Sequence, residues 1–524
     1  MESESRSSAP STGQWMALLA AILGWLFDGF EMGLFPLVMK PLLQDLLAGT
    51  NAKLEIWEGI MHAGFLVGAA TGGVLFGWLG DRIGRVRAMT LSVLTYALFS
   101  GACGLGNSVG LVLLFRFLAS LGMGGEWSLG VSLVMELWPG KSRAWLAGLI
   151  GAASNVGFML IAAISIVMND FIASIKSGLE MLPISPSTIE WLTAHSAWRL
   201  LMLIGAFPAL LTFFIRIFVP ESERWLDEKS KGSTKHFEGK DLFGLALGCL
   251  GPMAMILAYA FERPAWEQVA AVLFALVSAL IGFTHPVRLF LKRGGGESLI
   301  SVTPKETLRR MYLGAALSGI ALLATWGSVQ RGPSFANDVR KAEILAEQKA
   351  ASVDALSEEG KASLNRELAK ARAWTQIILG IGAVVGTIVG ALLAERFGRR
   401  ITYCLLCLTS FLSAAWFFLG TGKIGPIFYL ATFFAGGTTA SFYGWLPLYL
   451  PELFPTRVRA IGQGFSFNFG RILAGAGSLY LGYMITTYFG GRYPIPCTIL
   501  SSIYFIGMIV IWFAPETKGR PLPE

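Results

Sequence analysis

The chain has 524 residues, of which 54% are hydrophobic and only 15% charged, with a mean hydropathy of +0.59. Soluble globular domains carry about a quarter charged residues, so this composition argues against a water-soluble fold. The net charge of +8 sits in short clusters between apolar blocks, the pattern of membrane orientation and not of a nucleic-acid surface.

The apolar blocks run to about twenty residues, the length that crosses a hydrocarbon core of about 30 Å as a helix. The short alternating strands of a closed barrel, the other structure able to span lipid, do not occur. Residues 1–13 read as a polar cytoplasmic tail, and the first apolar block is too long for a signal peptide. Six spans are predicted at about 14–40, 56–79, 87–106, 109–138, 144–168 and 197–219, making an N-terminal six-helix bundle over 14–219. Residues 220–308 form a cytoplasmic linker that carries two extra spans, at about 241–261 and 265–290. The last six spans, at about 309–331, 373–394, 399–420, 425–450, 459–489 and 494–514, make a C-terminal bundle over 309–513. An Ala-, Glu- and Lys-rich outer insert, 335–372, reads as a helical hairpin broken near Gly360, and residues 514–524 as a second cytoplasmic tail.

Fourteen spans place both termini on one side. The turns with Arg82, Arg85 and Arg87, with Arg143, with Arg396, Arg399 and Arg400, and with Arg457 and Arg459 are rich in base, and the alternate short loops are not. Those turns and both tails are therefore expected in the cytoplasm of a multi-pass cell-membrane protein.

The two bundles repeat one another. G-W-L-G-D-R-I-G-R, Gly77 to Arg85, is answered by A-L-L-A-E-R-F-G-R-R, Ala391 to Arg400. M-E-L-W-P-G-K-S-R, Met135 to Arg143, is answered by P-E-L-F-P-T-R-V-R, Pro451 to Arg459, and the halves end on P-E-S-E-R-W and P-E-T-K-G-R. Parallel six-helix repeats with a cavity between them are a transporter architecture. The cysteines, including Cys404 and Cys407 in C-x-x-C, lie in apolar segments and read as small buried residues. No metal-ligand cluster, nucleophile elbow or phosphate loop appears, so neither cofactor nor enzyme is expected.

Ionisable residues inside spans are costly and therefore candidates for function. Asp28 and Glu31 lie in the first span, Arg116 and Glu126 in the fourth, and Arg471 in the thirteenth. At about 1.5 Å per residue, Glu31 and Arg116 fall at depths of roughly 13 and 10 Å and are level enough to pair. Asp28 lies about one turn deeper on a neighbouring face, and Glu126 lies too low to share that pair. A carboxylate that gains and loses an arginine partner between conformations changes its proton affinity, which is what proton coupling requires. Asp28, Glu31 and Arg116 are the coupling candidates; the competing reading is a fixed ion pair that sets helix packing. Arg471, near the midplane with no acid in its own span, suits a substrate carboxylate. Asn468, Asn155, Tyr443 and Trp326 are candidates to line the same site, and pairing of Arg471 with an acid of the other half is the alternative.

The D-R-x-G-R turn of Asp81 to Arg85, its second copy and R-F-L-A-S-L-G-M-G-G-E, Arg116 to Glu126, resemble the major facilitator superfamily. The P-E ends look like those of sugar porters, while F-D-G-F-E-M at Phe27 and G-G-E-W at Gly124 look closer to organic-acid symporters of the sialate and aromatic-acid type. The resemblance covers the chain except for the two extra spans and the outer insert. It implies that Asp81, Arg85, Glu136, Arg143 and Glu221, with Glu395, Arg399, Glu452, Arg459 and Glu516, form the charge network that latches the inner gate. The expectation is an all-α secondary transporter acting as a monomer, importing a small anionic organic acid with protons by alternating access. A sugar or polyol porter is the runner-up, and a receptor or sensor that kept the fold is the alternative from another class.

Overall fold

The structure is a computed structural model that describes residues 10–50, 54–138, 142–232, 238–295, 302–348, 352–353 and 357–523. Among these, all regular structure is helical. Helix α1 is Thr12–Leu46, opened by a capping box in which Ser11 and Gln14 satisfy each other's backbone N–H groups. Then follow α2 (Leu54–Ile83), α3 (Arg85–Cys103), α4 (Val109–Leu137), α5 (Arg143–Ile166), α6 (Met168–Glu180), α7 (Pro186–Ile204) and α8 (Ala209–Phe218). The middle carries α9 (Glu223–Ser230), α10 (Leu242–Gly248), α11 (Leu250–Ala260) and α12 (Ala265–Phe290). The last part holds α13 (Pro304–Gly327), α14 (Gly332–Glu347), α15 (Glu358–Phe397), α16 (Arg399–Leu419), α17 (Pro426–Ala440), α18 (Phe442–Leu453), α19 (Arg459–Thr487), α20 (Pro494–Ser501) and α21 (Ile503–Val510).

Among the described residues, eleven helices are long and apolar enough to cross a membrane. Three further crossings bring the number to the expected fourteen. Two are broken helices: α7 with α8, bent by non-helical backbone at Ala194–Ala197, and α17 with α18, interrupted at Ser441. The third is α19, whose polar residues dilute its hydropathy. The segment between the fifth and sixth crossings, given no structure from sequence, forms α6 and the start of α7.

The outer insert differs from expectation in its break. Helix α14 ends at Glu347 and α15 begins at Glu358, ahead of Gly360, because the Ser357 hydroxyl accepts the Gly360 N–H and caps α15 there. Residues 358–372 are thus an extension of the tenth span, with α14 packed against them. Arg340 of α14 pairs with Glu343, Glu347 and Glu367, and Glu343 accepts the Ile424 N–H.

Contacts between the two halves run along α2 with α19 and along α5 with α15 and α18. These crossings are tight because glycines face backbone: a Cβ on Gly464 would lie 2.0 Å from the Gly73 carbonyl oxygen, and one on Gly151 2.2 Å from that of Tyr443. The two extra crossings, α10–α11 and α12, lie against this seam, touching both α2 and α19. Polar contacts tie them to each half: Cys249 to Thr71 at 3.2 Å, and Arg288 donating to Tyr312.

Candidate functional site

Between the halves lies a cavity walled by both of them. The N-terminal half contributes Trp25 and Met32 of α1 with Asn155 and Phe158 of α5; the C-terminal half contributes Trp326, Gln330, Gln376, Tyr443, Phe467 and Arg471. Arg471 Nη1 is buried without a protein hydrogen-bond partner, and its guanidinium lies 5.5 Å from the Phe467 ring. Trp25, Trp127 and Phe467 form an aromatic layer, with Trp127 and Phe467 stacked at 3.8 Å across the seam. Of the residues expected here, Arg471, Asn155, Tyr443 and Trp326 line the cavity. Asn468 does not: its Nδ2 donates to the Gly124 and Gly464 carbonyls at 3.1 and 3.0 Å. Three residues before Arg471 on α19, it faces α4 and stitches the halves together.

Glu31 and Arg116 meet as an ion pair, both nearly fully buried. Glu31 also accepts from the Ser100 hydroxyl at 2.8 Å, and the guanidinium sits 3.9 Å from the Phe35 ring and 4.5 Å from that of Phe65. The pair lies within the N-terminal bundle, off the cavity wall. One turn along α1 lies Asp28, also buried. Glu126 was set aside from depth alone, and the signal that would have found its place is Gly24. A Cβ there would fall 1.6 Å from Glu126 Oε1, so the bare backbone of α1 makes room for the Glu126 side chain one turn from Asp28.

The charged turns form two matching networks. Arg85 donates to Asp81 at 2.7 Å, to Glu136 at 3.2 Å and, across the seam, to the Thr456 carbonyl at 2.8 Å. Glu221 accepts the first N–H groups of α3, those of Arg85 and Val86, at 2.9 and 3.1 Å. In the other half Arg399 donates to Glu452 at 2.6 and 3.0 Å and to Glu395 at 3.1 Å, while Glu516 accepts the N–H groups of Arg399 and Arg400 that open α16. Burial pushes the Glu221 carboxyl up. The same tendency at Glu516 is outweighed by backbone donors from Arg399, Arg400, Lys518 and Thr517, which hold it below the usual range.

Further links cross the halves at the charged turns. Arg459 donates to Glu136 at 2.8 Å, and the Asp81 carboxylate accepts the N–H groups of Ala460 and Ile461 at 3.2 and 2.9 Å, capping α19 from the opposite bundle. Arg143, the counterpart of Arg459, departs from the expected network: its Nε donates to the Met135 carbonyl at 3.2 Å. Among the described residues, Arg459 makes an ion pair across the bundles and its counterpart Arg143 does not. The cavity wall includes Gln330, just past the end of α13, and Gln376 of α15.

The family model for sugar (and other) transporters matches residues 16–238 and 363–524. The chain belongs to this family. The gap in the match takes in the extra crossings, α13 and most of the outer insert. Relatives of this transporter include the cis,cis-muconate transport protein of Acinetobacter baylyi, 23% identical over 99% of both chains. The niacin transporter of the same organism is 25% identical over 95% of this chain and 93% of its own. The fold matches the major facilitator proton:xylose symporter XylE of Escherichia coli with a TM-score of 0.63, at 19% identity over 98% of both chains. The protein is thus a multi-pass membrane transporter of the major facilitator superfamily, not an enzyme.

Proposed function

We propose that this transporter moves a small organic acid together with protons by alternating access, and that its charged turns and both termini face the cytoplasm. The observation that carries the reading is Arg471: a buried guanidinium with a free N–H at an aromatic-walled cavity is suited to a carboxylate on a flat, unsaturated frame. Relatives named for muconate and niacin, both carrying carboxylates, support it. Proton coupling is assigned to the acids of α1, Glu31 with Arg116 and Asp28 one turn away, because buried carboxyl groups change protonation when their partners move. The ion pairs at the charged turns act as the inner latch, and rocking of one bundle against the other opens it.

A second reading, a sugar or polyol porter, draws on the amides of Asn155, Gln330 and Gln376 in the cavity wall, which suit hydroxyl groups. The test is uptake of labelled nicotinate, cis,cis-muconate and xylose by proteoliposomes, with and without an imposed pH gradient. Acid uptake driven by the gradient is expected. Gradient-driven xylose uptake without acid uptake would replace the first reading by the second, and acid uptake indifferent to the gradient would remove proton coupling.

A further inference from the structure

Most buried cations at the charged turns are committed to partners. Arg85, Arg399 and Arg459 hold carboxylates, and Arg293 grips Asp241 with hydrogen bonds of 2.6 and 3.0 Å that join the end of α12 to the start of α10. A separate basic group has no such task. It lies where α12 ends and α13 begins, and comprises Arg288, Lys292, Lys305 and Arg309.

Arg288 donates to the Tyr312 hydroxyl, so the last turns of α12 stand beside the first turns of α13. Along the helix axes, Lys292 lies about 6 Å beyond Arg288, and Arg309 and Lys305 lie about 4.5 and 10 Å beyond Tyr312 in the same direction. Arg309 donates to the Phe513 carbonyl and Arg310 to that of Leu453, each at 3.2 Å, which fixes this end of α13 at the charged turns. Glu306 is taken by Arg309 and Arg310, at 3.3 and 3.0 Å. Among the described residues no carboxylate pairs with Arg288, Lys292 or Lys305, and Arg288 Nε is buried without a protein acceptor. Lys292 and Lys305 are exposed.

Cations gathered without counter-ions attract an anion, and the surroundings say which. On α12 the exposed side chains of Val277 and Ile281 lie about three turns before Arg288 and Lys292 on the same face. A lipid-facing apolar stripe thus turns basic where the helix leaves the hydrocarbon. Beside Arg309, Trp512 and Phe513 are more than half exposed, as aromatic residues at a membrane interface are. An acyl chain lying along the stripe brings its phosphate among the cations. We infer that the cleft between α12 and α13 binds the phosphate headgroup of an anionic phospholipid, which docks the added crossings onto the C-terminal bundle. The Arg288 guanidinium supplies a planar fork for phosphate oxygens, and the lysines supply point charge. The site is separate from the transport cavity and independent of what that cavity carries.

The test is native mass spectrometry of the delipidated full chain in neutral detergent, titrated with phosphatidylglycerol, phosphatidylcholine or inorganic phosphate. The chain is expected to retain phosphatidylglycerol and not phosphatidylcholine, and an excess of inorganic phosphate is expected to leave that retention unchanged. Lys292→Gln/Lys305→Gln changes exposed side chains only, and is expected to weaken phosphatidylglycerol binding about tenfold or more. Arg288→Gln is expected to weaken it in the same direction, with monodispersity checked by gel filtration. Arg82→Gln/Arg87→Gln removes as much charge from the first basic turn, also at exposed positions, and is expected to change it by less than about twofold. Equal retention of the two lipids, or equal weakening in the two double variants, overturns the site. Displacement of the lipid by inorganic phosphate overturns the lipid as its occupant.

Discussion

Arg471 stands on one bundle and faces a cavity walled by both, so in the proposed function the residue that meets the substrate also senses how the halves are arranged. Lysine in its place keeps the charge but offers a point donor where the guanidinium offers a planar fork. For Arg471→Lys, the loss of one charge-assisted hydrogen bond, about 1.5–3 kcal/mol, raises the KM for nicotinate tenfold or more in proteoliposome uptake. An unchanged KM would move the anion site elsewhere. At this scale the burial of Asp28, Glu31, Arg116 and Arg471 was legible because charge in lipid is rare and therefore informative. The place of Glu126 was not. Depth along ideal helices treats side chains as points, whereas Glu126 gains its reach from the space left by Gly24. Asn468 is the opposite case: polarity in a span marked it as a ligand residue, but its Nδ2 donates to the carbonyls of Gly124 and Gly464.

Helix α19 begins under an acid borrowed from the other bundle, and this is where element and mechanism meet. Rocking the halves apart on the charged side removes both the Asp81 cap and the Arg459–Glu136 bridge. Glu136→Gln leaves Arg459 and Arg85 buried with a weaker partner, a change worth about 3–5 kcal/mol for a buried ion pair. It is expected to shift the population toward the state open at the charged turns. Thiol labelling of a Ser132→Cys reporter, at a site buried against Gln463, is expected to rise at least tenfold in that background; equal labelling rates would deny the latch. Asp81→Asn is expected to act in the same direction and more mildly, at about 1 kcal/mol for a lost cap. The turn motifs declared such charges in advance, since D-R-x-G-R and its copy carry them at fixed spacing. That Arg459 closes while Arg143 stays on the Met135 carbonyl is a property of one conformation, which equal spacings in the two halves do not encode.

The whole molecule is two six-helix bundles with a pair of added crossings laid across their seam. An even number of crossings predicts that the ends of the chain lie on one side. Reporter fusions at residue 13 and after residue 514 are expected to report the cytoplasm alike, and fusions between residues 348 and 357 the opposite side; ends on different sides would break the topology. What the sequence determined by itself was the solvent, the helices and the duplicated bundle. These follow from local quantities: hydropathy over about twenty residues, helix rise and the placement of charge. Tertiary structure alone decided where helices break, which glycines admit a neighbour, and which buried charge meets which. Those depend on side chains brought within a few ångströms from positions hundreds of residues apart, as Asp81 and Ile461 are, and no pattern along the chain records that distance.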